Sequence, residues 1–212
     1  GQLPIWTLWG IENYQMTGIH SLPVITNAYL NGIIGFDTEL AFKAMTESAM
    51  KDTCGYSMGY FVGLENYRKY GYVPCDMEME SVARTLEYAF DDRALARFAE
   101  QIGKSEEAAY FNEQSFNYKN VFDADICFVR GKTKEGKWRT PFAPLASSHR
   151  KDDYCEGNAW QWSFFVPHDV EGLAALVGGK ERLAARLDSL FTMSSALEGD
   201  DVSGDISGLI GQ

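Results

Sequence analysis

Tyr154-Cys155-Glu156-Gly157-Asn158-Ala159-Trp160-Gln161-Trp162-Ser163-Phe164-Phe165-Val166-Pro167-His168-Asp169 sets bulky aromatics around one carboxylate, two amides and a histidine. A carboxylic acid held against aromatic faces is partly desolvated, which favours its neutral form and raises its pKa. A Glu tuned in this way can donate a proton near neutral pH. Flat aromatic faces beside it suit the apolar face of a sugar ring. The competing reading is a buried helix start, with Glu156 hydrogen-bonded to backbone.

Outward from this stretch the chain reads as repeated helical hairpins. Downstream, helices are expected at Asp169–Val177 and Lys180–Phe191, separated by Gly178-Gly179, the second with Leu183, Leu187 and Leu190 on its core side. Upstream, the clearest helical periodicity covers Glu80–Gly103. Ser81 suits its N-cap and Gly103 its C-cap, while Val82, Leu86, Ala89, Phe90, Ala94, Phe98 and Ala99 mark the buried side. Glu87, Asp91 and Asp92 then read as charges on or near a solvated face. Ser105 opens the next helix with Ala108, Phe111, Phe116 and Tyr118 inward, and the short connecting turn makes the two antiparallel neighbours.

Nearer the start, Pro23–Asn31 predicts a helix with Val24, Ile25, Ala28 and Tyr29 on one face and Gly32 as its stop. Asp37 suits the N-cap of a helix with Glu39 in its first turn and an apolar stripe of Leu40, Ala41, Ala44, Met45 and Met50. A short helix over Tyr60–Tyr70 ends at Tyr72-Val73-Pro74. From Ala124 to Tyr154 the periodicity fails. Ile126–Val129 and Trp138–Pro144 there predict an inserted β-hairpin across Gly131–Gly136. Paired helices can close into a ring that presents its loops to a central cavity; a helical bundle is the competing architecture.

The 212 residues are 45% hydrophobic and 14% aromatic, enough to build a sizeable core. The net charge of −11 argues against a nucleic-acid partner and is compatible with a neutral substrate or a bound cation. No apolar run reaches membrane-spanning length, and no basic segment followed by an apolar stretch opens the chain. Gly1–Trp6 and Ile206–Gln212 read as mid-domain sequence, so a chain cut at both ends is expected. Cys54, Cys75, Cys127 and Cys155 form no CxxC pair, which argues against a zinc site; Cys54–Cys75 is the one bridge considered.

Gly131–Lys137 matches most of a phosphate-binding loop. It meets Trp138 where Ser or Thr should hold magnesium, and no helix follows, so it reads as a hairpin tip. His20, His149 and His168 lack metal-ligand spacing. Trp6, Trp9, Glu12 and His20 form a second cluster, able to wall a sugar subsite; the alternative is that both indoles fill core.

Several of these segments recur, in order, in one family. Leu3-Pro4-x-Trp6, Met16-x-Gly18-x-His20-Ser21-x-Pro23-Val24-Ile25, Ala28-Tyr29 and Gly32-Ile33 resemble the start of the catalytic domain of glycoside hydrolase family 92. So do Thr85–Asp92, Ser115-x-Asn117-Tyr118, Glu156–Gln161, Val166-Pro167-His168-Asp169-Val170-x-Gly172-Leu173 and Asp205–Gln212. The resemblance spans nearly the whole chain.

It implies an all-α fold, part of an (α/α)6 toroid of helical hairpins with a small β-hairpin insertion, over residues 1–212. It also implies an inverting, calcium-dependent exo-α-mannosidase that is secreted or periplasmic and releases mannose from glycans. By resemblance Glu156 is the general acid, and Trp6, Glu12, His20, Trp160 and Gln161 bind substrate. Inversion needs two carboxyls about 6.5–9.5 Å apart, one donating to the leaving oxygen and one activating water. Here the chain departs from the family. It stops before the His-Gly-Asn-Glu-Pro segment and the Asp-rich segment that supply the base and metal ligands, and Asn27 stands where Asp is expected. The calcium ligands, the remaining catalytic domain and an N-terminal β-sandwich are therefore expected outside this chain, which alone is expected to be inactive. A Glu donor favours mannosides over mannosyl-phosphates, whose leaving group needs little protonation. The alternatives are a non-catalytic helical carbohydrate-binding or scaffold domain, and an (α/α)6 hydrolase of another sugar such as an α-glucoside.

Overall fold

A computed structural model describes residues 3–12, 16–51, 63–148, 151–196 and 198–201. The expected features at Tyr60–Val62, Cys54, His149 and Asp205–Gln212 lie outside the described residues. The chain folds as two compact units, Gly1–Tyr72 with Arg84–Tyr118, and Val73–Ala83 with Lys119–Gln212.

The first unit holds a two-stranded hairpin, β1 (Thr7–Leu8) and β2 (Ile11–Glu12), then α1 (Ser21–Leu30), α2 (Thr38–Met50), α3 (Leu64–Tyr70), most of α4 (Ser81–Gln101) and α5 (Ser105–Gln114). Asp37 caps α2 as expected, its Oδ1 accepting from the Leu40 amide at 2.9 Å. α1 buries a different face from the one its apolar residues suggest. Leu22 and Thr26 are inside and Val24 is 66% exposed, because the Thr26 hydroxyl donates to the Ala94 carbonyl of α4 at 3.0 Å. Leu40 of α2 likewise faces outward, and Phe42, Met45, Ser48 and Ala49 are buried instead. The Arg93 side chain reaches Asn112, pairing α4 and α5 as antiparallel neighbours. Tyr118 is buried as expected, while Phe116 is exposed.

α4 is buried almost all round: only Arg97, Glu100 and Gln101 of its residues are exposed. Glu87, Asp91 and Asp92 are therefore internal, not on a solvated face. Asp92 shows how a charge is kept there. Arg68 of α3 grips it with both terminal nitrogens, at 2.8 and 2.6 Å, and the Tyr67 hydroxyl donates to it at 2.9 Å. The same guanidinium donates to the Ala49 carbonyl, one of the carbonyls that the end of α2 leaves open. Burial opposes the Arg68 charge, but the Asp92 carboxylate more than offsets it and holds Arg68 above its ordinary value.

The second unit contains the first turn of α4, β3 (Phe122–Asp123), β4 (Phe128–Val129), β5 (Ala146–Ser148), α6 (Ala159–Trp162), α7 (Val170–Val177), α8 (Lys180–Thr192) and β6 (Glu198–Asp201). Here the expected hairpin is corrected. Phe128–Val129 pairs backward, with Phe122 opposite Val129 and Asp123 opposite Phe128, and an Arg130–Asp123 ion pair at 2.9 Å flanks that register. The Gly131–Lys137 segment is a separate tip closed by a single Lys132–Trp138 bridge, with Gly136 turning at φ +79°. It is a hairpin tip, not a phosphate loop. Asp169 caps α7 through the Gly172 amide at 2.9 Å, and Gly178 and Gly179 turn the chain into α8. β5 and β6 pair in parallel.

Arg68→Met in the full-length polypeptide should cost about 3–5 kcal/mol, because Asp92 is left buried without its countercharge. Tyr67→Phe should cost only about 0.5–1.5 kcal/mol, the value of one hydrogen bond. Thermal or urea unfolding of both variants checks this; equal losses would contradict the ion-pair account.

Candidate active site

The segment ahead of Glu156 is fastened to the start of α4. The Asp152 carbonyl accepts from the Glu80 amide at 2.8 Å, and the Asp153 carbonyl accepts from the Val82 and Ala83 amides at 3.0 and 3.1 Å. These are amides that a helix start leaves open. Ser81, expected as the N-cap, instead turns its hydroxyl outward from the helix to the Asp153 carboxylate at 2.8 Å. Arg139 Nε approaches the same carboxylate at 2.9 Å. Position 131 must be glycine, since a Cβ there would lie 2.0 Å from Asp153 Oδ2.

Burial pushes the Asp153 carboxyl up, against the pull of Arg139, Ser81 and the Gly131 amide. Burial opposes the Arg139 charge too, yet the Asp153 carboxylate holds Arg139 above its ordinary value. With the Arg139 side chain 41% exposed, we take the pair as ionised at neutral pH, at a desolvation cost. Asp152, whose carboxylate accepts from the Ser148 and Tyr154 amides, is pushed up to about 6, chiefly by burial.

Beyond Asp153 the Tyr154 hydroxyl donates to the Val129 carbonyl at 2.8 Å, and Trp162 Nε1 donates to the Cys155 carbonyl at 2.9 Å. Then comes Glu156, half-buried and at φ +46°. Among the described residues none makes a hydrogen bond or ion pair with its carboxylate, so the buried-cap reading of Glu156 does not hold. Asn158 fixes the other side. Its Oδ1 accepts from the Trp160 and Gln161 amides, and Gln161 Oε1 accepts from the Asn158 amide, a capping box opening α6. A Cβ at Gly157 would lie 2.9 Å from Gln161 Oε1, so the turn between acid and cap has no room for a side chain.

Of the other expected substrate residues in this unit, Gln161 has its acceptor oxygen committed to that box. Trp160 is partly exposed and packs edge-on against Phe128, ring centres 5.1 Å apart. The Arg186 guanidinium lies 4.5 Å from the Phe128 ring and 5.0 Å from the Trp160 ring, clamping the indole from α8. Nothing in the local pattern of α8 marks Arg186 for that contact.

Trp6, Glu12 and His20 belong to the first unit. Glu12 accepts from the Ile5 amide at 2.8 Å and the Trp6 amide at 3.1 Å, one bond on each oxygen, and so fixes the approach to β1. Trp6 is 45% exposed and Trp9, at the hairpin turn, 93% exposed; neither fills core. His20 Nε2 lies 3.0 Å from the Thr17 carbonyl, which can only accept, so Nε2 carries the hydrogen and Nδ1 has the acceptor lone pair of the neutral ring. Burial lowers the His20 pKa, keeping the ring neutral at pH 7. Among the described residues no group of three or more His, Cys, Asp or Glu is arranged to hold a metal ion. Cys75, Cys127 and Cys155 are buried, and among the described residues no disulfide joins them.

Glu156 thus stands half-buried on the turn that leads into α6, in a unit built mainly of short strands and helices. The sequence profile of the glycosyl hydrolase family 92 catalytic domain matches residues 1–211, and the chain belongs to that family. A family GH92 alpha-mannosidase from Bacteroides thetaiotaomicron, solved in complex with mannoimidazole, superposes with a TM-score of 0.83 at 38% identity, over 96% of this chain and 26% of its own. An inverting GH92 mannosidase from the same organism gives a TM-score of 0.82 at 35% identity, over 88% of this chain and 25% of its own. An uncharacterized secreted glycosidase of Arthroderma benhamiae is 28% identical over 96% of this chain and 30% of that protein. The chain thus spans a quarter to three tenths of the length of these relatives. The fold class is all-α, part of the (α/α)6 toroid of family 92, which decides between ring and bundle. No helix among the described residues is long and apolar enough to cross a membrane.

Gly131→Ala and Asp153→Ala strike the same carboxylate cluster. Each should destabilise the full-length polypeptide by about 1–3 kcal/mol, and the double variant should cost clearly less than their sum. Denaturant midpoints of the three variants measure this; strict additivity would show that Gly131 is not kept clear for Asp153.

Proposed function

We propose that this chain is part of the catalytic domain of an inverting exo-α-mannosidase, with Glu156 as its general acid. One observation carries the reading. The Glu156 carboxylate, alone on a turn whose neighbours are all engaged, has no partner among the described residues, and the segment around it aligns with α-mannosidases over nearly the whole chain. A buried acid with structural duties would have partners, as Asp92 and Asp153 do. Glu156 gives its proton to the departing oxygen as the glycosidic bond breaks, while a second carboxyl activates water on the opposite face of the sugar. We place that base, and the oxygen ligands for calcium, in the rest of the enzyme. Trp160, steadied by Phe128 and Arg186, offers the sugar a flat apolar face; for Trp6 and His20 of the first unit a substrate role rests on the resemblance to the family. The substrates are α-mannosides of glycans, and the enzyme is secreted or periplasmic, as one relative's description suggests.

The full-length polypeptide should release mannose from α-linked mannobioses, lose that activity in a chelator and regain it with added calcium. The 212-residue chain alone should release none. Product analysis on a panel of α-mannosides and α-glucosides checks both statements. Glucose release, or saturable mannose binding without cleavage, would overturn the mannosidase reading.

A further inference from the structure

The turn Thr17-Gly18-Ile19-His20 delivers His20 to the start of α1, and it rests on two acids of α4. Asp91 Oδ2 accepts from the Ile19 amide at 2.6 Å. The Glu87 side chain lies against Gly18, where a Cβ would sit 2.9 Å from Glu87 Oε2; with φ at +81°, only glycine suits the position. Glu87 Oε2 also lies 3.7 Å from His20 Nε2. Both acids are buried, 6% and 2% exposed, and both stand on one face of the helix, four residues apart. Among the described residues one oxygen of each, Glu87 Oε2 and Asp91 Oδ1, has no hydrogen-bond partner.

Two carboxylates in that position would add charge to the interior, since Arg68, the guanidinium that acts on Asp91, is already gripped by Asp92. We propose that Glu87 and Asp91 are positioning residues that hold the Thr17–His20 turn while they are protonated, and that their ionisation releases His20 from its place at the sugar. The role of His20 rests on the mannosidase reading; the acid pair itself does not.

The groups facing the pair agree with this. Burial, with Asp91 adding to it, pushes Glu87 well up. Burial raises Asp91 to about 8, with the Ile19 amide and Arg68 pulling down and Asp92 pushing further up. His20, the other titratable group shown near the pair among the described residues, has its pKa lowered by burial and so supplies no countercharge at neutral pH. Carboxyls that titrate near 4 in the unfolded chain but higher in the fold keep their protons in the folded state alone. Stability is therefore greatest below about pH 4 and declines as pH rises towards 8, as far as this pair decides it.

The test compares wild type, Asp91→Asn and Glu87→Gln in the full-length polypeptide. Melting temperatures are read from pH 5 to 9, with KM and kcat for p-nitrophenyl α-mannoside over the same range. Asp91→Asn, which still accepts from Ile19 but cannot ionise, should melt above wild type by a margin that grows with pH. Wild-type KM should rise by up to about tenfold per pH unit above pH 8, the limit for one ionisation, with kcat changing less, and the variant should flatten that rise. A variant that follows the wild-type pH dependence in both readouts, or melts lower by the same amount at every pH, overturns the proposal. If Asp91→Asn does not fold, Glu87→Gln carries the same comparison. If no form cleaves a mannoside at any pH, the mannosidase reading fails and the melting series alone decides on the acid pair.

Discussion

The segment that carries Glu156 hangs on the Asp153 carboxylate. It takes the Ser81 hydroxyl and Arg139 Nε while its own carbonyl closes the first turn of α4. The Asn158–Gln161 box holds the other side. Glu156 and Gly157 fill the short gap between these fixtures, and the gap is too tight for ordinary backbone. Glu156 is left in the left-handed region, where a non-glycine residue costs roughly 1–2 kcal/mol. That strain is offset by the bonds on both flanks, and its effect is to present a carboxylate that its neighbours do not use. Among the described residues the Glu156 carboxylate takes no hydrogen bond, unlike those of Asp92 and Asp153, and an acid so placed suits proton donation in the proposed role.

The same physics gives the other buried acids different duties. Asp92 stays charged because a bidentate guanidinium and a phenol saturate it. Among the described residues Glu87 and Asp91 have no such partner, and burial pushes both carboxyls up. One helix, α4, carries all three, with the structural pair on the α3 side and the proton-bearing pair against the turn that delivers His20.

What could be read from the chain was what depends on near neighbours. Asp37 and Asp169 cap their helices because a side chain reaches an amide three residues on, a local event. The limits of α4 and the α7–α8 hairpin were visible for the same reason. The ordered motifs named the family. What failed depended on distant partners. Glu87, Asp91 and Asp92 looked solvated because periodicity scores a charge as outside, whereas their partners lie at Ile19, Arg68 and Tyr67. Val24 looked buried because hydropathy cannot see Thr26 bonding to Ala94. The role of Asp153 needs Ser81, 72 residues earlier, and the clear space at Gly131. A glycine that serves no turn, like Gly131, is the one sequence signal that pointed towards it.

Comparing wild type and Glu156→Gln on α-mannosides with good and poor leaving groups tests the account most directly. If Glu156 donates the proton, kcat/KM for an unactivated mannobiose falls by about 10²–10⁴-fold in the variant, while that for 2,4-dinitrophenyl α-mannoside, whose leaving group needs no proton, is largely kept. An equal loss on both substrates, or no loss on either, would remove Glu156 from the acid role.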